Sequence, residues 1–177
     1  MAGGACGQCG GGLLLARAGA RFCSTRCRVA WNRAQRRSGA AGGLPAALTG
    51  RDAWTRAAGK RPITISGAPA SSTDPGTWST YGEVRSSTAG DGFGVMLGDG
   101  LACWDLDHCL DGDVLAPWAR ALLTSLGGAV LWLERSVSGG GVHAFVEAPE
   151  GPGHRDGWVE FYSRARFIRV TGDRFEL

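Results

Sequence analysis

Acidic residues are nearly missing from the first third of this chain: among residues 1–61 only Asp52 is acidic, against eleven arginines and lysines. Lysine itself is almost absent, with Lys60 the one lysine beside eighteen arginines. No run of about 18 or more uncharged apolar residues occurs, so no helical membrane span and no membrane partner are expected. The first twelve residues lack the basic n-region of a secretory signal, and Leu13-Leu14-Leu15 is too short for its apolar core. A cytoplasmic protein is the expectation. Internal repeats are also lacking.

What remains is globular in composition, with 44% apolar and 20% charged residues. A length of 177 residues suffices for one sizeable core plus a small module. The net charge of +3 conceals two opposed halves, because residues 62–177 carry eight basic and fifteen acidic side chains. A basic part suits a polyanion and an acidic part suits cations. Three zones follow: residues 1–38 with four cysteines and a basic tail, a Gly/Ala-rich linker over 39–51, and a main domain over 52–177.

Six cysteines in a reducing compartment point to metal before disulfides. Cys6, Cys9, Cys23 and Cys27 are spaced C-x2-C-x13-C-x3-C. Two such knuckles complete a tetrahedral Zn²⁺ site, and the ion supplies folding energy that so short a segment cannot bury. The stretch Phe22 to Arg28, Phe-Cys-Ser-x-x-Cys-Arg, resembles short actinobacterial zinc modules. A helix is expected over residues 28–37. Its Arg28, Arg33, Arg36 and Arg37, beside Trp31, suit phosphate contacts and base stacking, although a solvated basic helix would read alike.

In the main domain, Asp74-Pro75 predicts a helix running to about Val84, with Trp78 and Tyr81 inward. Strands are predicted at Gly94–Leu97 and Leu101–Asp107, joined by the turn Gly98-Asp99-Gly100. Asp113 is expected to cap a second helix with the stripe Leu115, Trp118, Ala119, Leu122 and Leu126, stopped at Gly127-Gly128. Further strands are predicted at Ala129–Glu134, Val142–Glu147, Val159–Tyr162 and Phe167–Thr171. Mixed elements around one core make an α+β or α/β domain.

Three segments carry candidate chemistry. In Leu101-Ala-Cys-Trp-Asp-Leu-Asp107, period two puts Asp105 and Asp107 on one strand face. Two carboxylates so close repel unless a divalent cation lies between them. In Ser136-Val-Ser-Gly-Gly-Gly-Val-His143, a Ser/Gly loop lets backbone N–H groups approach an anion, and His143 follows on the next strand. Glu160 alternates against Val159 and Phe161, so it can add a third carboxylate. Arg164, Arg166 and Arg169 suit bidentate phosphate contacts.

The order Asp-Leu-Asp, then Ser-x-Ser-Gly-x-Gly-x-His, then Glu-x-Tyr…Arg-Phe…Val-Thr-Gly resembles the bifunctional primase-polymerase domain of phages and plasmids, in the archaeo-eukaryotic primase superfamily. Gly59-Lys-Arg-Pro-Ile63 and the segment from Ser71 to Tyr81 resemble its lead-in, so the likeness spans about residues 54–172. Val137 stands where Pro is common, and Arg169 where Thr is common. The resemblance implies an RRM-like catalytic sheet with a small accessory α/β unit. It implies Asp105, Asp107 and Glu160 as catalytic ligands of two Mg²⁺ or Mn²⁺ ions, and Ser138, His143 and Arg166 as nucleotide-binding residues. The implied reaction is template-directed nucleotidyl transfer from a dNTP or NTP on single-stranded DNA, with a separate replicative helicase as a further partner. Its rivals are a single-strand-binding relative of weak activity, a metal-dependent nuclease and a zinc-finger regulator.

Overall fold

The computed structural model describes residues 4–13, 20–28, 30 and 43–177. The main domain begins with α1 (Ala46–Thr49), β1 (Trp54–Ala58), β2 (Arg61–Ile63), a 3-10 turn at Pro75–Thr77, α2 (Tyr81–Ser86) and β3 (Gly92–Met96). It continues with β4 (Leu101–Leu106), β5 (Leu110–Asp111), β6 (Val114–Leu115), α3 (Pro117–Leu126) and a 3-10 turn at Gly127–Ala129. The last strands are β7 (Val130–Arg135), β8 (Val142–Glu147), β9 (His154–Asp156), β10 (Val159–Tyr162) and β11 (Phe167–Val170). The fold is α+β, with antiparallel pairing throughout these sheets. None of the described helices is long and apolar enough to cross a membrane.

Four strands form one sheet in the order β11-β3-β1-β2, and five form another in the order β7-β8-β4-β10-β9. Period-two alternation decides what lies between and outside them. Leu101 and Cys103 of β4 and Phe145 of β8 face Trp54, Val95, Ile168 and Val170 of the smaller sheet, making an inter-sheet core. Leu106, Val142 and Ala144 point the other way, onto Leu115, Ala119 and Leu123 at and within α3. A central strand covered on both faces reads as continuous apolar sequence, and β8 is buried at every position except Glu147.

Three local expectations are corrected, whereas the turn Gly98-Asp99-Gly100 does join β3 to β4. Gly98 and Leu101 exchange two backbone hydrogen bonds at 3.1 and 3.0 Å, and the chain passes there from the smaller sheet to the larger. The helix expected from Asp74 to Val84 is two pieces. Asp74 caps the 3-10 turn through Gly76 N–H, the backbone then extends so that Ser79 bridges Trp54, and Thr80 with Glu83 restarts the helix as a capping box. Asp113 caps nothing; α3 starts from Ala116 with Pro117 at its first position. Leu123 is buried in its stripe, whereas Trp118 is 40% exposed.

The third correction concerns the expected linker. Residues 46–49 form α1, Leu48 is 0% exposed in the inter-sheet core, and its carbonyl accepts from the Trp54 indole N–H at 3.1 Å. An Ala-rich run with one Leu is weak in hydrophobic patterning, and only the tertiary pocket shows that Leu48 fills it. Residues 39–42, and the expected basic helix beyond Arg28 except Ala30, lie outside the described residues.

Candidate functional site

Strand register assembles a row of charged side chains across the larger sheet. Glu134 pairs with His143, His143 with Asp105, Asp105 with Glu160, and Glu160 with Arg155, one residue from each of the five strands. Directly opposed residues share a face, so the row lies on the face toward the smaller sheet, where the apolar inter-sheet core gives out.

At that end opens a cavity of about 590 Å³. Asp105, Asp107, Ser138, His143 and Arg166 all line it, so five of the six residues expected in the catalytic or nucleotide-binding sets meet there. Lys60, Ser72, Ser136 and Arg169 share the wall. The β7–β8 loop is held against the end of β4 by close backbone packing. A Cβ on Gly141 would stand 2.6 Å from the Leu106 carbonyl oxygen, so only glycine fits. Within the loop, Ser136 and Ser138 hydroxyls lie 3.1 Å apart and Gly140 N–H donates to Ser138 Oγ at 3.3 Å.

Glu160 is placed differently. It is buried next to Asp105 in register, but its carboxylate accepts from Tyr162 O–H at 2.9 Å and pairs with Arg155 at 3.1 Å and Arg166 at 3.5 Å. The three expected carboxylates are therefore not gathered around one point; among the described residues the four cysteines are the group gathered closely enough for a metal ion. Arg169 is also committed, to the Asp91 carboxylate at 3.1 Å, the Asp91 carbonyl at 2.9 Å and the Gly59 carbonyl.

Glu134 was legible in the sequence only as the end of the strand expected at Ala129–Glu134. It is 0% exposed and accepts from the Trp132 indole N–H at 3.1 Å and the backbone N–H groups of Thr171 and Gly172, both at 3.0 Å. Its Oε1 also lies 3.1 Å from His143 Nδ1, while His143 Nε2 stands 3.6 Å from Asp105 Oδ1. As a carboxylate Glu134 only accepts, which puts a proton on Nδ1 and turns Nε2 to the cavity. An acid at an inward position of an apolar strand is the signal that could have found it.

Burial pushes the Asp105 carboxyl above the usual carboxylate range; Asp107 and Glu160 add to the rise, and His143 and Lys60 oppose it. Burial acts to lower His143, but its hydrogen bond to Glu134 and the charges of Glu134, Asp105 and Asp107 outweigh that, and the net direction is up. A crowded, partly desolvated acidic edge of this kind is relieved by a cation.

The cysteine cluster passes a geometric fit test for zinc. All four sulfurs lie within 4.8 Å of one another, with Cys9–Cys23 at 3.7 Å and Cys23–Cys27 at 3.5 Å. A tetrahedron with Zn–S bonds of about 2.3 Å has edges of roughly 3.8 Å. The Cys23 N–H and further donors lower the Cys6 thiol to about 6, whereas the Cys27 and Cys9 thiols raise Cys23 to about 12. Four thiols so close cannot all ionise without a cation among them. Cys103 and Cys109 are buried in the two cores of the main domain, away from this group. The module is tied to the main domain by Arg21, which pairs at 2.6 Å with Asp113 in the β5–β6 turn, itself paired with Arg135. No protein-family model matches this sequence, and no curated protein matches it.

Proposed function

We propose that the chain is a primase-polymerase domain that transfers nucleotides from dNTPs or NTPs onto a strand templated by single-stranded DNA. The observation that carries the reading is the convergence of Asp105, Asp107, Ser138, His143 and Arg166, drawn from three separated segments, on one cavity. Strand order supports the RRM-like sheet. The order β10-β4-β8-β7, with α3 following β4, matches a split βαβ arrangement, and the charged row occupies the face opposite α3. The second helix of that arrangement is replaced here by β9.

Mg²⁺ or Mn²⁺ held by Asp105 and Asp107 would supply charge to the attacking 3′-hydroxyl and the departing pyrophosphate. The chain's own residues position the triphosphate. Ser138 and Arg166 offer donors from two sides of the cavity, and Glu134 aims His143 Nε2 into it. The cysteine module, with zinc bound, and its arginines would hold the template strand electrostatically.

The test is Mn²⁺-dependent extension of a primed template. D105A/D107A should lose activity by about 10²–10³-fold or more, the scale of removing an electrostatic stabiliser, while still folding by thermal melt. Wild-type extension that survives the double substitution overturns the reading. Labelled DNA incubated with metal and no nucleotide reveals a nuclease instead. The engagement of Glu160 by Arg155 and Tyr162 favours a second reading, a single-strand-binding relative without turnover. Binding without extension under every metal and nucleotide selects it.

A further inference from the structure

The cavity has two walls of opposite charge. Asp105 and Asp107 stand on one, and Lys60, Arg166 and Arg169 on the other. Arg169 is bound to Asp91 and Gly59, while Arg166, half exposed, keeps donors for the cavity beside its 3.5 Å pair with Glu160 and its stacking 4.3 Å over the Tyr162 ring. Lys60 is exposed and, among the described residues, makes no hydrogen bond or ion pair.

Its backbone is nevertheless fixed. Lys60 sits in the Gly59-Lys60 turn between β1 and β2, with Gly59 at φ +61°. The Gly59 N–H donates to the Asp91 carboxylate at 3.0 Å and the Gly59 carbonyl accepts from Arg169, which also pairs with that carboxylate. A closed ring of turn, arginine and aspartate therefore presents an ammonium from the smaller sheet to the acidic edge of the larger one, where its charge is felt by Asp105 across the cavity. A lysine on a rigid turn with no direct carboxylate pair is a ready point charge for phosphate.

We infer that Lys60 is a second anion-binding cation of this cavity, beside Arg166, and contacts the polyphosphate of a nucleoside triphosphate. The identity of the ligand rests on the proposed nucleotidyl-transfer reading; the presence of an anion site does not. Arg169, which the sequence offers as a phosphate ligand, instead positions the turn.

Because Lys60 is the one lysine in the chain, amine acylation reports on it without ambiguity, with the N-terminal amine as internal standard. The full-length protein, zinc present, is treated with a limiting acetylating reagent and mapped by mass spectrometry. Inorganic tripolyphosphate with Mg²⁺ and dATP with Mg²⁺ should each slow Lys60 acetylation several-fold and leave the N-terminal amine unchanged. K60A should weaken dATP binding about tenfold, the scale of one lost charge-assisted contact, and K60R should recover most of it. Absence of protection by both probes, or protection by oligo(dT) alone, overturns the inference, as does a K60A protein that binds dATP like wild type. A wild type that cannot extend primers but shows triphosphate protection keeps the anion site and loses the polymerase reading. A wild type that extends primers with Lys60 unprotected does the reverse.

Discussion

Two carboxylates in the charged row make opposite demands on the fold. Asp105 has few hydrogen-bond partners of its own, and burial raises its carboxyl above the unfolded value of about 3.9. Ionising it therefore opposes folding. The penalty is absent below the unfolded value, grows as pH rises toward the folded one, and is complete above it. D105N should melt higher than wild type at neutral pH without added Mg²⁺ or Mn²⁺, and the advantage should vanish near pH 3. Added Mn²⁺ should stabilise wild type and leave D105N unmoved. Melting curves over that pH range, with and without metal, check both. Glu134 is the contrasting case, since its oxygens take up three N–H donors besides His143. E134A should lose about 3–5 kcal/mol in urea unfolding, because those buried donors are left unpaired. The smaller effect expected of E134Q, which keeps the shape, separates charge from packing.

Among the elements, α1 carries the clearest test. It is four residues long, has no side-chain cap, and cannot be stable alone. Its place depends on Leu48, buried beside Trp54 between the two sheets. L48A should cost about 2–5 kcal/mol, measured by urea unfolding of the full chain; a loss under about 0.5 kcal/mol, ordinary for a surface change, would return this segment to the linker. The strands were the most legible elements. Val142–Glu147 and Val159–Tyr162 have the bounds that alternation predicts. One helix over 74–84 is what the sequence predicts, because Asp74-Pro75 is a strong start signal and the second start, Thr80-x-x-Glu83, sits inside its reach. A helix crossing Ser79 would forfeit the two backbone hydrogen bonds that Ser79 exchanges with Trp54 at 3.0 and 2.8 Å.

For the whole molecule, the question is how a small thiol module stays with a two-sheet domain. Purified without chelator, the chain should carry about one Zn²⁺, bound through four thiolates. C23S/C27S should lose it, and so should acid, since protons compete for the sulfurs. Elemental analysis with a chelator titration reads both. Cys103 and Cys109 should contribute nothing, because Cys103 is closed into the inter-sheet core and Cys109 donates to the Leu106 carbonyl at 3.3 Å. Zinc loss should also free Arg21 from Asp113, leaving Arg135 as that carboxylate's partner.

Local spacing alone determined the cysteine quartet, the period that puts Asp105 and Asp107 on one strand face, and most strand positions. Each follows from a period of two or from ligands a few residues apart, and such patterns are written within one segment. Register and packing between distant segments decided the rest. The order of the charged row depends on which strands pair. The burial of Glu134 depends on the backbone of residues 171–172 reaching it. The commitment of Arg169 to Gly59 and Asp91 depends on strand pairing within the smaller sheet, and the approach of Lys60 to Asp105 on that sheet packing against the larger. A charge is paired or free according to what stands within a few ångströms of it, and only tertiary structure fixes that distance.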